Sequence, residues 1–200
     1  MTVTRNSNIR VPKAEITGLY GTVVKMVSKK MFGEVPEAFG VMWNNPRVLK
    51  FSLGLGQKSA KWHECDEHLK SYAHMAVASL IGCTFCLDFG YFQAHDEGLD
   101  LVKASQVPRW REATVFTSLE RDVMEYAEAM SETPPAVTDE LSARLLDQLG
   151  APALVELSAV VGFANLTART NVALGIRSEG LSDVCPLPLA PPATGYATTA

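Results

Sequence analysis

The stretch Gly82-Cys83-Thr84-Phe85-Cys86-Leu87-Asp88-Phe89-Gly90 decides how this chain is read. It follows a run in which Leu69, Tyr72, Ala73, Ala76, Val77 and Leu80 recur at three- and four-residue intervals, the spacing of one buried helix face. Gly82 suits the end of that helix, since glycine takes the left-handed conformation that closes a helix at no steric cost. Cys83 then opens a further helix to about Glu97, closed by Gly98. A Cys-x-x-Cys at a helix start holds both sulfurs within the first turn, where unsatisfied backbone N–H groups and the helix dipole favour thiolate over thiol. Such a pair can close a disulfide with little movement of the chain. Three readings are open on these residues alone: a redox dithiol, half of a metal site, or two buried cysteines that happen to be neighbours.

The remaining chain also reads as helical. The span from Ile16 to Phe32 carries Leu19, Val23, Val24, Met26 and Val27 on roughly one face, with Lys25, Lys29 and Lys30 as a solvated side. Pro36 to Trp43 is a short helix, and Pro46 starts another towards Trp62, weakened by two glycines. Pro108, Trp110 and Thr114 lie in a connector, and an amphipathic helix runs from Ser118 to Met130. Thr138-Asp139-Glu140-Leu141 begins a helix to Gly150, and a long, largely apolar one spans Pro152 to about Ile176. Its polar residues Asn165, Arg169 and Asn171 read as caps and interhelical hydrogen bonds rather than substrate contacts. The expected fold class is all-α with about eight helices. A flexible arm is expected over 1–15, a single helical domain over 16–180 and a Pro-rich tail over 181–200.

Composition narrows the functional classes. Two hundred residues, 47% of them apolar, suffice for one domain with a sizeable core. A net charge of −4 with scattered Lys and Arg gives no electrostatic footprint for nucleic acid, and an anionic membrane surface is no better supported. The N-terminus lacks the apolar segment of a signal peptide, and no apolar run approaches the roughly 20 residues of a membrane-spanning helix, so the expected location is cytoplasmic. The four cysteines, Cys65, Cys83, Cys86 and Cys185, are too few for a disulfide framework. A structural zinc site takes about four ligands, so metal would require Cys65, Cys185 or a histidine to join the pair. No metal and no cofactor are expected.

The segment His68-Leu69-Lys70-Ser71-Tyr72-Ala73-His74, the following Leu80-Ile81-Gly82-Cys83-Thr84-Phe85-Cys86 and Ala94 together resemble the carboxymuconolactone decarboxylase and alkylhydroperoxidase D-like superfamily. Phe116 to Met130 and Asn171 to Ile176 are similar to its larger, two-part members, so the resemblance covers about residues 40 to 180. It implies the alkylhydroperoxidase D-like helical fold, homo-oligomers such as trimers or hexamers and, in redox members, thiol-dependent peroxide reduction. Its implied partners are a small hydroperoxide and an external dithiol reductant. By analogy, Cys86 attacks a peroxide oxygen and becomes a sulfenic acid, with which Cys83 condenses. Two other classes remain: a cofactor-free lyase like the namesake decarboxylase, and a catalytically degenerate oligomeric binding protein.

The chain departs from the redox members at their proton relay. Their glutamate twelve residues before the first cysteine is Ser71 here, and their histidine four after the second is Gly90. Neither can act as a base. His95 lies nine residues past Cys86 and, at about 100° per residue, on the opposite side of the helix. His74, one turn beyond Ser71, is the candidate base. Asp88 reads as a cap or an ion-pair partner, and Gly90 leaves space beside the sulfur for a substrate or a neighbouring helix.

Overall fold

The computed structural model describes residues 9–192 and contains eight α-helices and no strand among them. The centre is α4 (Glu67–Ile81), whose Tyr72, Ala73, Met75, Ala76, Val77 and Ala78 are almost wholly buried. Its start is fixed by Asp66, whose side chain accepts from the His68 and Leu69 amides, and Glu67 adds a negative charge in the positive first turn. The alanines keep its surface low, so α5 (Thr84–Asp96), α7 (Ser118–Ser131) and α8 (Asp139–Leu174) all pack directly on it. Thr117 and Glu120 close a capping box at the start of α7, the Thr117 amide donating to Glu120 Oε2 at 2.7 Å.

The helices α1 (Gly18–Phe32), α2 (Glu37–Met42) and α3 (Pro46–Ser59) form a second, smaller cluster around Ile16, Val24, Trp43 and Leu49. Phe32 ties this cluster to α5 through tilted ring contacts with Phe89 and Phe92. The outer face of α1 stays uncovered in this chain, with Leu19, Val23 and Met26 exposed.

The two helices expected on either side of Gly150 are both found; they follow each other directly and share the label α8, broken at Gly150, whose backbone (φ 77°, ψ 164°) is not helical. Pro152 sits just after the break, where its missing N–H is no loss. The connector around Pro108 contains the short α6 (Leu101–Ala104) and a 3₁₀ turn over Val107–Arg109. By length and composition α8 is apolar enough to cross a membrane, contrary to the expectation that no such run exists. Its inner face is nonetheless packed on α4 and α7, and its buried Glu156 accepts from Lys70 Nζ and the Glu64 amide, each at 2.9 Å.

The first and last described segments both fasten onto the helices that carry the site. Arg10 donates to the carbonyls of Val172 and Ala173, and its amide to that of Leu174, so a positive charge closes the C-terminus of α8. The segment after α8 crosses α5 as a strap. Asp88, buried on α5, accepts from the hydroxyls of Ser178 (2.8 Å) and Ser182 (2.6 Å) and from the amides of Gly180, Leu181 and Ser182. Further on, Tyr91 donates to the Leu187 carbonyl and the Ala190 amide to that of Ser105.

Burial by itself would raise the Asp88 pKa, but the hydrogen bonds from Ser182, Ser178 and Leu181 outweigh it and hold it below the ordinary 3.8. A depressed folded-state pKa means that this stabilisation is complete above the ordinary value and is lost as pH falls through the lower one. Asp88→Asn keeps the shape but turns an amide donor towards donors. It should cost about 2–4 kcal/mol in urea unfolding at neutral pH, and the variant's stability should fall less between about pH 5 and 3 than the parent's. An unchanged unfolding midpoint would remove the strap from this account.

Candidate functional site

Two thiol-bearing residues are brought together by one turn. Gly82 ends α4 in the left-handed conformation (φ 77°), its amide and that of Cys83 bonding back to the Ala78 and Ser79 carbonyls. The chain therefore reverses at once, and Cys83 becomes the N-cap of α5. The Cys86 amide donates to Cys83 Sγ at 3.2 Å, which places the first sulfur on the N–H groups of the helix end. Cys83 and Cys86 are joined as a disulfide, with Cα atoms 5.3 Å apart. Both are buried, Cys86 (4% exposed) slightly less than Cys83 (1%).

Three neighbours surround the pair. On the α8 side, Asn171 Nδ2 donates to Cys86 Sγ at 3.4 Å. The expectation of interhelical hydrogen bonds from Asn165, Arg169 and Asn171 holds for all three. Asn165 bonds Ser131 Oγ at 2.7 Å and Arg169 bonds the Ser131 carbonyl, both across to α7, whereas Asn171 crosses to α5 and its partner is a sulfur. Helix arithmetic held a signal for this, because Asn171 is six residues past Asn165 and turned about 120° from it, towards a different neighbour. On the strap side, the Ser178 amide donates to Thr84 Oγ1 at 3.1 Å, beside the Asp88 bonds.

On the α4 side lies His74. A Cβ at Gly90 would stand 3.0 Å from His74 Nδ1 and 3.1 Å from Met75 Cγ, so the imidazole fills the volume that a side chain at position 90 would enter. Of the two uses left open for the Gly90 gap, a neighbouring helix takes it. His74 therefore lies one helical turn along α5 from Cys86. Burial pushes its pKa down to about 4, which leaves it neutral at physiological pH. His95 is exposed on the far side of α5.

The other two cysteines stand apart. Cys65 is buried beside Glu156, and burial, with the Glu156 charge adding to it, pushes its thiol up to about 11. Cys185 lies on the strap, its thiol raised by burial and then by the Asp88 charge. Among the described residues no three His, Cys, Asp or Glu side chains converge as a metal site requires.

Residues 46–129 match the model of the carboxymuconolactone decarboxylase family. The chain is also 33% identical over 162 residues to the uncharacterized protein YnjA of Escherichia coli strain K12, covering 81% of this chain and 83% of that one. The chain belongs to the carboxymuconolactone decarboxylase family. Solved structures of alkylhydroperoxidase D-like proteins share its fold. An uncharacterized peroxidase-related protein with an alkylhydroperoxidase core, from Ralstonia eutropha JMP134, superposes with a TM-score of 0.76 at 16% identity, over 90% of this chain and 97% of that one. The debrominase Bmp8, in complex with 2,3,4-tribromopyrrole, superposes with a TM-score of 0.75 at 18% identity, over 88% of this chain and 94% of that one. Within this family, the chain has Ser71 and Gly90 where redox members were expected to carry a glutamate and a histidine, and it sets His74 against the vacated position 90.

Gly90→Ala should measure that contact. Alanine favours a helix by about 1 kcal/mol over glycine, but forcing a methyl into a filled gap costs about 1–3 kcal/mol. A net loss of about 1 kcal/mol is expected in chemical denaturation, and the loss should shrink when His74→Ala is also present. An equal cost of Gly90→Ala in both backgrounds would show that His74 does not occupy the gap.

Proposed function

We propose that the protein is a thiol-dependent peroxidase of the alkylhydroperoxidase type, turning over through the Cys83–Cys86 pair. The observation that carries this is the disulfide formed across the first turn of α5, with a hydrogen-bond donor on each sulfur. In the reduced protein, Cys86 thiolate attacks the terminal oxygen of a small hydroperoxide. The O–O bond breaks, the sulfur is oxidised to a sulfenic acid, and the alkoxide leaves and takes a proton to become an alcohol. Cys83 then attacks the Cys86 sulfur, releasing water and forming the disulfide. An external dithiol completes the cycle by attacking Cys86 Sγ, giving a mixed disulfide that resolves to the reduced pair and the oxidised partner.

The N-cap position of Cys83 suits this last step. When Cys86 is attacked, Cys83 leaves as a thiolate onto the Cys86 N–H and the positive end of α5. His74 serves as a neutral relay for the proton on its way to the departing alkoxide. Its low proton affinity means that it passes the proton on and does not store it. The burial of both sulfurs favours small peroxides over bulky ones.

One equivalent of hydrogen peroxide should remove two thiols together from the reduced protein, leaving Cys65 unreacted. Cys86→Ser should abolish peroxide-dependent oxidation of a dithiol. Cys83→Ser should still form a sulfenic acid at Cys86, trappable by dimedone, but fail to turn over. The single-turnover rate should show no inflection from His74 between about pH 5 and 7, since its titration lies below that range. Peroxide consumption unchanged in both cysteine variants would overturn the assignment.

A further inference from the structure

The family's charged relay is absent, yet a thiolate must form at Cys86, and the described residues around that sulfur contain one direct side-chain donor. We infer that Asn171 is a catalytic residue of this protein, its carboxamide N–H stabilising the Cys86 thiolate in place of the missing histidine. This deepens the peroxidase reading and rests on it for the reaction, though not for the effect on the thiol.

Asn171 Nδ2 stands 3.4 Å from Cys86 Sγ, a hydrogen-bonding distance for sulfur. A disulfide sulfur is a weak acceptor and a thiolate a strong one, so the same contact is worth more in the reduced, ionised state. The donor is held from two directions. The Asn171 carbonyl accepts from the Ile176 amide at 2.9 Å as the helix closes at Gly175, and Arg10 clamps the Val172 and Ala173 carbonyls just beyond it. Its side chain is thus carried by a helix end that cannot fray freely, as a preorganised donor requires.

The charged groups nearby do not supply the same stabilisation. His74 on α4 is neutral, and Asp88 on α5 has both oxygens committed to the strap. Arg10 faces the carbonyl end of α8. The Cys86 amide serves Cys83 and not Cys86 itself. Each sulfur therefore has its own neutral donor, the backbone for Cys83 and Asn171 for Cys86.

The test uses the full chain and reads the thiol, not turnover. Alkylation of Cys86 is followed against pH in Cys83→Ser, alone and combined with Asn171→Ala or Asn171→Asp, by mass spectrometry at that site. Losing a hydrogen bond to a charged group should raise the Cys86 pKa by about one unit in the alanine variant. Asn171→Asp, which has the same shape but a negative charge, should raise it further. With both cysteines present, the same substitutions should shift the equilibrium with glutathione towards the disulfide, by about tenfold for alanine. Melting temperatures report any loss of folding, and the aspartate variant preserves the packing should alanine disturb it. A Cys86 pKa within about 0.2 units of the parent in both variants would overturn the inference. If the pKa moves as expected while the parent protein consumes no peroxide, Asn171 still tunes the thiol and only the substrate reading fails.

Discussion

The structure depends on the single left-handed residue between α4 and α5. Gly82 lets α4 stop while its last carbonyls are still bonded, so α5 starts from the next residue and Cys83 is forced into the cap position. Any longer connection would set the first sulfur free of the helix end. Because α4 is buried on nearly all sides, the direction in which it delivers the chain is fixed by the whole core. From that starting point the helix period assigns the work. Cys86 and Gly90, four residues apart, share a face, while Asp88 is turned roughly 200° from Cys86 and meets the strap. One side of α5 carries Cys86 and Gly90, and the other holds the helix down through Asp88.

Much of this was legible in the sequence, and the parts that were not share a cause. The α4 face, the glycine stop and the position of both cysteines follow from local spacing, so they could be read one helix at a time. The break in α8 was legible too, since Gly150 with Pro152 close behind it signals the end of one helix and the start of the next, and Gly150 is where the backbone leaves the helical conformation. Gly90 showed that a side chain was missing, but not that His74 would fill the place, because that depends on how α4 and α5 cross. Asn171 is the clearest case. A polar residue near a helix end has a bland local explanation, and its partner lies 85 positions away in the chain.

The cysteines also show how little the residue type determines. Cys65 and Cys86 are similarly buried, yet Cys65, just ahead of the Asp66 cap of α4, has its thiol pushed towards the protonated form by burial first and then by the carboxylate of Glu156. That makes it a built-in contrast for the paired thiols. Burial excludes water around both, which strengthens whatever electrostatic environment is present, favourable or not.

The same reasoning bears on why neutral donors can stand in for a charged relay. A histidine at position 90 could hold or release a proton on the helix face of Cys86, but its own charge would have to be desolvated beside α4. An imidazole already placed there from α4 is kept neutral by burial, as His74 is, and so cannot provide a fixed positive charge. A backbone N–H and a carboxamide need no protonation, lose little on burial while they are bonded, and act at every pH. Under the peroxidase proposal this amounts to a division of roles, in which thiolate formation would rest on fixed dipoles and proton movement on a neutral imidazole. The rate at neutral pH would then follow the fraction of Cys86 ionised, and the geometry of α8 against α5 would govern it more directly than any titrating neighbour.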